Sequence, residues 1–251
     1  MLADGNPRGA VPRVSVVIPT LDEADRLEAL VGALRREPEL AEIIVADGGS
    51  SDGTPELATR LGARVVATEP GRGQALRAGA GLASGEILLF LHADSTFATG
   101  GLRALCAALD RDPRVPGGNF RVVFAGGSRF ARGLTAAYPW LRWFTLYYGD
   151  SGIFVRRSVY DAIGGIKHIP VMEDYDFVRR LERAGPTCRV EEPPLTTSSR
   201  KFAGRRASFI MWGWVVIHVL YWLGVSPDRL ARLYYPRGWR SRNFGEKHHG
   251  D

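Results

Sequence analysis

The chain has 251 residues, 45% apolar and 24% charged, a globular composition with length for one large domain or two small ones. Its formal net charge of +6 rests almost wholly on arginine, since only three lysines occur. That balance favours anionic partners, but no aromatic–basic interleaving of the single-strand-binding kind is present, so nucleic acid is not an expected partner.

Residues 1–13 are polar, carry Gly and Pro and lack an apolar run. They read as a disordered tail and not a signal peptide, which places the chain in the cytoplasm. Val14–Ile18 is a β-branched run stopped by Pro19, the pattern of a buried strand. Leu21, Ala24, Leu27, Leu30, Val31 and Leu34 recur at helical spacing. Ile43–Ala46 is a second strand, followed by turn-rich residues 47–54. Thr54 before Pro55 reads as a helix cap, and that helix stops at Gly62. Arg64–Ala67 is a third strand, Gly73–Ala83 a helix of small residues, and Glu86–Leu91 a fourth strand. Strands alternating with helices through short links imply parallel βαβ units, whose ligands bind beyond the carboxyl ends of the strands.

Leu102, Leu105, Cys106 and Leu109 mark a further helix that buries Cys106. Gly118–Phe124 reads as a strand and is followed by an aromatic-rich stretch to Tyr148. Ser151–Val155 reads as a strand, Ser158–Ile163 as a short helix, and Glu173–Ala184 as a helix stopped by Gly185-Pro186. The 19 residues Ala207–Val225 hold no formal charge and three Trp, with basic residues on both flanks. Three readings fit them: a helix lying in a membrane interface, a buried or oligomer-contact helix, and a membrane span of borderline length.

Four motifs carry chemistry. V-S-V-V-I-P-T-L-D-E (Val14–Glu23) ends a strand on Pro19, Thr20, Asp22 and Glu23. I-I-V-A-D-G-G-S-S-D-G-T (Ile43–Thr54) ends the second strand on Asp47, Gly48, Ser50 and Asp52. A carboxylate such as Asp47 can accept the N3–H of uracil, and the glycines allow close backbone approach, although an Asp before Gly-Gly also simply forms turns. G-R-G-Q-A-L-R-A-G-A-G (Gly71–Gly81) opens a helix toward an anion, with Arg72 and Arg77 as charges near a nucleotide or phosphate. L-L-F-L-H-A-D-S (Leu88–Ser95) ends a buried strand on His92 and Asp94. Asp94 is the natural ligand for Mg²⁺ or Mn²⁺ on a diphosphate, with His92 as second ligand or nucleotide contact. Downstream, Y-G-D-S-G (Tyr148–Gly152) and M-E-D-Y-D-F (Met172–Phe177) follow. Glu173 and Asp174 open a helix, where acids are favoured by the macrodipole; a carboxylate there can also take the proton of an attacking hydroxyl.

The order of these motifs resembles the family 2 glycosyltransferases over residues 14–201, in particular a small bacterial branch similar to polyprenyl-phosphate sugar synthases. The resemblance implies an α/β GT-A fold: a Rossmann-like, mostly parallel sheet with helices on both faces and a smaller acceptor-side subregion. It implies a catalytic domain over 14–203, split into a nucleotide-sugar half (14–110) and an acceptor half (111–203), with an apolar helical segment and basic tail over 204–251. It further implies a nucleotide-diphospho-sugar donor (UDP- or GDP-linked), a divalent metal and inversion at the anomeric carbon. By similarity, Pro19, Asp22, Glu23 and Asp47 line the nucleotide site, Asp94 matches the last Asp of the D-x-D metal motif, and Asp174 matches the base of the E-D motif. His92 stands where D-x-D has its first Asp. No Q-x-x-R-W follows, which argues against a processive polymerase; Arg200 in S-R-K-F is a reduced counterpart that can grip the diphosphate. The acceptor is expected to be a hydroxyl or phosphate, including that of a lipid at the cytoplasmic membrane face. Two other readings stand beside this one: a nucleotidyltransferase, disfavoured because the glycine loop lacks Lys, and a non-catalytic membrane-associated binding protein.

Overall fold

The β-branched runs become strands in the computed structural model, which describes residues 13–126, 129–143, 146–198 and 207–234. They are β1 (Val14–Thr20), β2 (Leu40–Asp47), β3 (Arg64–Ala67), β4 (Ile87–Phe90), β5 (Gly117–Phe124) and β6 (Ile153–Arg156). A seventh strand, β7 (Cys188–Thr197), is not apparent in the sequence, because acids and the pair Pro193-Pro194 obscure it. The seven form one sheet in the order β3-β2-β1-β4-β6-β5-β7. At that edge β7 pairs with β5 and, through Thr196, makes a bridge to Thr96, while Pro193 and Pro194 fall between its paired residues Val190 and Leu195 and are not called on to donate. Only β6 runs against its neighbours, β4 and β5; the other pairings are parallel.

The period-two alternation of each strand feeds two cores. Val14, Val16 and Ile18 of β1 join Ile43 and Val45 of β2 and Ile87 and Leu89 of β4 on one face. Against them pack α1 (Ala24–Leu34), α2 (Thr54–Arg60) and α4 (Gly101–Asp110), the first through Leu27, Leu30, Val31 and Leu34 and the last through Leu102, Leu105, Cys106 and Leu109. Val17, Ile44, Leu88 and Phe90 face the other way. That side is covered by α3 (Arg72–Leu82), α5 (Arg129–Trp143), α6 (Arg157–Ala162) and α7 (Glu173–Ala184). The small residues of α3 let it lie close to the sheet: a Cβ on Gly79 would come 2.4 Å from Val17 Cγ1.

Two expectations need correction, and one stretch without an expected element gains one. Pro19 does not stop β1, which continues through Thr20 paired with β2. The Val17 carbonyl faces β4 and the Thr20 carbonyl faces β2, so the N–H that Pro19 lacks would point past the end of β4, where no ladder bond is lost. Thr54 does not cap α2. Gly53 does so at φ 83°, while the Thr54 hydroxyl donates to Asp52 and accepts from the Glu23 N–H. The aromatic stretch before Tyr148 is largely α5, which keeps Pro139 inside it. Beyond the sheet lie α8 (Ala207–Trp222) and α9 (Pro227–Tyr234).

Candidate active site

Two loops at the carboxyl edge are stitched together by acids. Asp22, at φ 54°, accepts from the Ser51 N–H at 2.8 Å, and its own N–H donates to Ser50 Oγ at 2.9 Å. Asp52 accepts from the Ala24 N–H at 3.0 Å, satisfying a donor at the start of α1. Although burial opposes it, hydrogen bonds from Thr54 and from the Ala24 and Thr54 amides hold the Asp52 carboxyl below its ordinary value. Glu23 pairs with Arg26 on the first turn of α1.

Asp47 lies at this edge and is 3% exposed. Oδ1 accepts from the hydroxyls of Thr20 and Ser50, and Oδ2 from the N–H groups of Gly49 at 3.0 Å and Ser50 at 2.8 Å. A carboxylate offers about four lone-pair sites, so these donors occupy the group expected to read a base. The geometry gives Asp47 a loop-shaping position between Thr20 and Gly48, whose N–H donates to the Thr20 carbonyl at 2.9 Å.

His92 and Asp94 sit on the turn that follows β4, closed by the Ser95 N–H on the His92 carbonyl at 3.1 Å. Asp94 is half-buried. The His92 ring is turned toward Gly149: a Cβ built there would lie 2.9 Å from His92 Nε2 and 3.5 Å from Asp174 Oδ2. Among the described residues no group of three or more His, Cys, Asp or Glu is placed to hold a metal ion. A Mg²⁺ bound through one or two carboxylates and substrate phosphates needs no such cage, and the oxygen donors of Asp94 suit that mode.

The acids of α7 form the most elaborate part of the edge. Glu173 and Asp174 are 3% and 6% exposed and follow Met172, a non-glycine residue at φ 67°. Arg72, opening α3 as expected, does not extend into open space as a phosphate clamp. It forms ion pairs with both acids, with Nη2 at 3.0 Å from Asp174 Oδ2. Asp174 also accepts from the Gly149 N–H at 3.0 Å and from the Tyr175 N–H at 2.8 Å. Burial works against its ionisation, but the Arg72 charge, those two N–H groups and His92 outweigh it and hold the carboxyl below its ordinary range. Glu173 goes the other way, pushed up by burial and by the neighbouring Asp174 charge despite Arg72. The two carboxyls are thus shifted in opposite directions, Asp174 down and Glu173 up. Gly73 permits the close approach of α3, since a Cβ there would meet the Lys167 carbonyl at 2.9 Å and Glu173 Cγ at 3.1 Å.

Arg77 is turned away from the loops and donates to the Ile166 carbonyl at 3.2 Å. Arg200 lies outside the described residues. Sequence reasoning missed the contacts made by α8. His218 meets Tyr148 Oη at 2.9 Å, and Trp222 Nε1 donates to Tyr175 Oη at 2.8 Å. Only the Y-G-D-S-G and E-D-Y-D motifs pointed to that corner. The other face of α8 leaves Trp212, Val215 and Val219 exposed, with Leu223 beyond its end, and Trp222 is itself largely exposed although its Nε1 is bonded. Among the described residues no helix is long and apolar enough to cross a membrane. From Trp212 onward, Ile217 of the segment is buried while Trp212, Val215 and Val219 are exposed.

The mixed sheet with its acids at one edge is the GT-A fold of glycosyltransferases. Its likeness to the crystal structure of glucosyl-3-phosphoglycerate synthase from Mycobacterium tuberculosis, in complex with Mn²⁺, UDP and glucosyl-3-phosphoglycerate, has a TM-score of 0.61 at 21% identity over 85% of this chain and 80% of that one. Residues 15–167 match the model of glycosyl transferase family 2, and the chain belongs to that family. An uncharacterized glycosyltransferase of Mycobacterium tuberculosis is 36% identical over 111 residues, 44% of this chain. The match spans half the length of that relative. A PGL/p-HBAD biosynthesis glycosyltransferase of Mycobacterium bovis is 30% identical over 177 residues, 67% of this chain and 69% of the relative.

Proposed function

We propose that the chain transfers a sugar from a UDP- or GDP-linked donor to an acceptor hydroxyl or phosphate with inversion, and that Asp174 is the general base. The observation that carries this reading is the Asp174 carboxylate, buried yet held ionised by Arg72 and two backbone N–H groups. For a hydroxyl acceptor, the O–H proton passes to Asp174 as the oxygen attacks C1 of the sugar. The bond from C1 to the diphosphate breaks, and its electron pair leaves with the nucleoside diphosphate. A phosphate acceptor that arrives ionised needs only the positioning.

Mg²⁺ or Mn²⁺ held through Asp94 would neutralise charge on the departing diphosphate. The solved relative whose complex contains Mn²⁺ and UDP supports a metal-linked UDP donor. In this reading the nucleotide lies on the β1–α1 and β2–α2 loops. Asp22, Ser50 and Asp52 fix the two loops to each other, Asp47 shapes the glycine turn, and His92 faces the sugar. Residues 14–203 then form the catalytic unit, with the donor on the 14–110 side and the acceptor on the 111–203 side.

The exposed apolar face of α8 supports a second element of the proposal, a lipid or lipid-phosphate acceptor met at a membrane surface. Trp212 and Trp222 are interfacial residue types, and the exposed Arg229 and Arg232 of α9 complement anionic headgroups.

The test is a thermal-shift panel of nucleotide-sugars with and without Mn²⁺, followed by product analysis with the best donor. A metal-dependent shift for one nucleotide class, lost in Asp94→Ala, and a product of inverted anomeric configuration are expected. No metal dependence, or retained configuration, would contradict the reading.

A further inference from the structure

The hydrogen bond that steadies the proposed base joins Gly149 to Asp174, and the chain neighbours of both residues are gripped by one side chain. Tyr148 precedes Gly149 and Tyr175 follows Asp174. The His218 ring packs edge-on against both, at centroid distances of 5.6 Å from Tyr148 and 5.1 Å from Tyr175. His218 Nδ1 lies 2.7 Å from the Trp214 carbonyl, which can only accept, so Nδ1 carries the proton. In the neutral ring Nε2 is then an acceptor, and Tyr148 Oη donates to it at 2.9 Å. Two further bonds tie α8 to the same corner, from Trp222 Nε1 to Tyr175 Oη at 2.8 Å and from Tyr221 Oη to Asp176 Oδ1 at 3.4 Å.

On the other side, Tyr148 begins the short 3-10 turn Gly149–Ser151, whose Ser151 N–H and hydroxyl both bind the Tyr148 carbonyl. The Gly149 N–H belongs to the same peptide unit as that Tyr148 carbonyl, so the residue that holds Tyr148 also bears on the direction of this N–H. The Gly149 site is close-packed, because a Cβ there would lie 2.9 Å from His92 Nε2, with Asp174 Oδ2 in ordinary contact at 3.5 Å.

We infer that His218 of α8 is a positioning residue, which sets the direction of the Gly149 N–H toward Asp174 through Tyr148 and so holds the carboxylate in place for the acceptor. The inference rests on the reading of Asp174 as the base. It makes α8 a support for the catalytic apparatus through the contacts of His218, Tyr221 and Trp222. It also gives a physical path by which anything that docks on the exposed face of the helix would act on turnover.

The test uses the full chain with three substitutions. His218→Leu removes the acceptor, Tyr148→Phe removes only the donor hydroxyl, and His218→Gln restores an acceptor in nearly the same place. Amide exchange at Gly149 is followed by NMR without substrate, and steady-state kinetics are followed with the best donor. The expected result is at least tenfold faster Gly149 exchange in His218→Leu and Tyr148→Phe, confined to residues 148–151 and 174–176. With it should come at least a tenfold fall in kcat, donor KM within twofold of wild type, and substantial recovery in His218→Gln. The double variant His218→Leu/Tyr148→Phe should be no worse than either single one.

Exchange that rises throughout the chain, exchange that does not change, or a loss expressed in KM alone would overturn the inference. Exchange is read without turnover, so a wild-type protein inert toward every nucleotide-sugar would count against the transfer reading, while the Gly149 data would still decide the His218 contact.

Discussion

Replacing Arg72 with Met isolates what the guanidinium does for the acid pair. The substitution keeps the packing stem and removes the ion pairs to Glu173 and Asp174. Asp174 retains two donors, the N–H groups of Gly149 and Tyr175, but Glu173 and Asp174 are left buried side by side without a cation. A hydrogen bond to a charged group contributes about 1.5–3 kcal/mol. The Arg72 side chain is 42% exposed, and solvent screening moves the expectation to the low end, about 1–2 kcal/mol at pH 8. The sign with pH follows from the direction of the Asp174 shift. Its folded value is depressed, so its contribution is present above the ordinary Asp value of about 3.9 and is lost as pH falls through the folded value. The destabilisation should therefore shrink toward acid pH. Without Arg72, burial and Glu173 push Asp174 upward, so the acid limb of kcat/KM should move to higher pH. Urea unfolding of both proteins at pH 8 and at the lowest pH where each still folds, with a pH–rate profile, measures both effects. Equal destabilisation at the two pH values, together with an unmoved acid limb, would refute the assignment of Arg72 as the group that keeps Asp174 ionised.

Gly79→Ala should destabilise the fold by about 1–3 kcal/mol, because the new methyl group meets Val17 Cγ1 where α3 lies on the sheet; a urea midpoint within error of wild type would show that α3 can lift freely. Replacing Trp212 and Trp222 with Ser should leave the urea midpoint nearly unchanged at exposed Trp212, cost up to about 1 kcal/mol where Trp222 binds Tyr175, and reduce co-sedimentation with anionic liposomes at low salt. Undiminished binding of the double variant, or no binding by wild type, would remove the membrane-facing role of α8.

How much was readable in the sequence depends on how local each feature is. The β-branched runs before Pro19 and Asp47 announce buried strands, and parallel pairing brings Thr20 and Asp47 into register, so the edge carrying the acids follows from pattern alone. Glu173–Ala184 is read with its correct ends because it starts on acids and stops at Gly185. The strand β7 and helix α5 are obscured by internal prolines that tertiary placement tolerates, two at a sheet edge and one within a helix. The role of Asp47 illustrates a different limit. A strand-end acid before Gly-Gly is compatible with gripping a base or gripping its own loop, and the sequence alone does not show that Thr20, Gly49 and Ser50 are placed to donate to it. Arg72 meets Asp174 across 102 residues and Tyr148 meets His218 across 70. A single sequence carries no local signal for such pairs, which is why the ion pairing of Asp174 and the docking of α8 emerge only in the fold.

The central claim is that Asp174 acts as the base and not as a donor-binding group. Asp174→Asn keeps the size and most acceptor geometry of the side chain while removing its ability to take a proton. Titration of the best nucleotide-sugar by calorimetry, paired with single-turnover transfer, tests the claim most directly. The account predicts a donor Kd within about threefold of wild type and a transfer rate lower by about 10²–10⁴. A variant that transfers at the wild-type rate, or one that has lost donor binding, would contradict it.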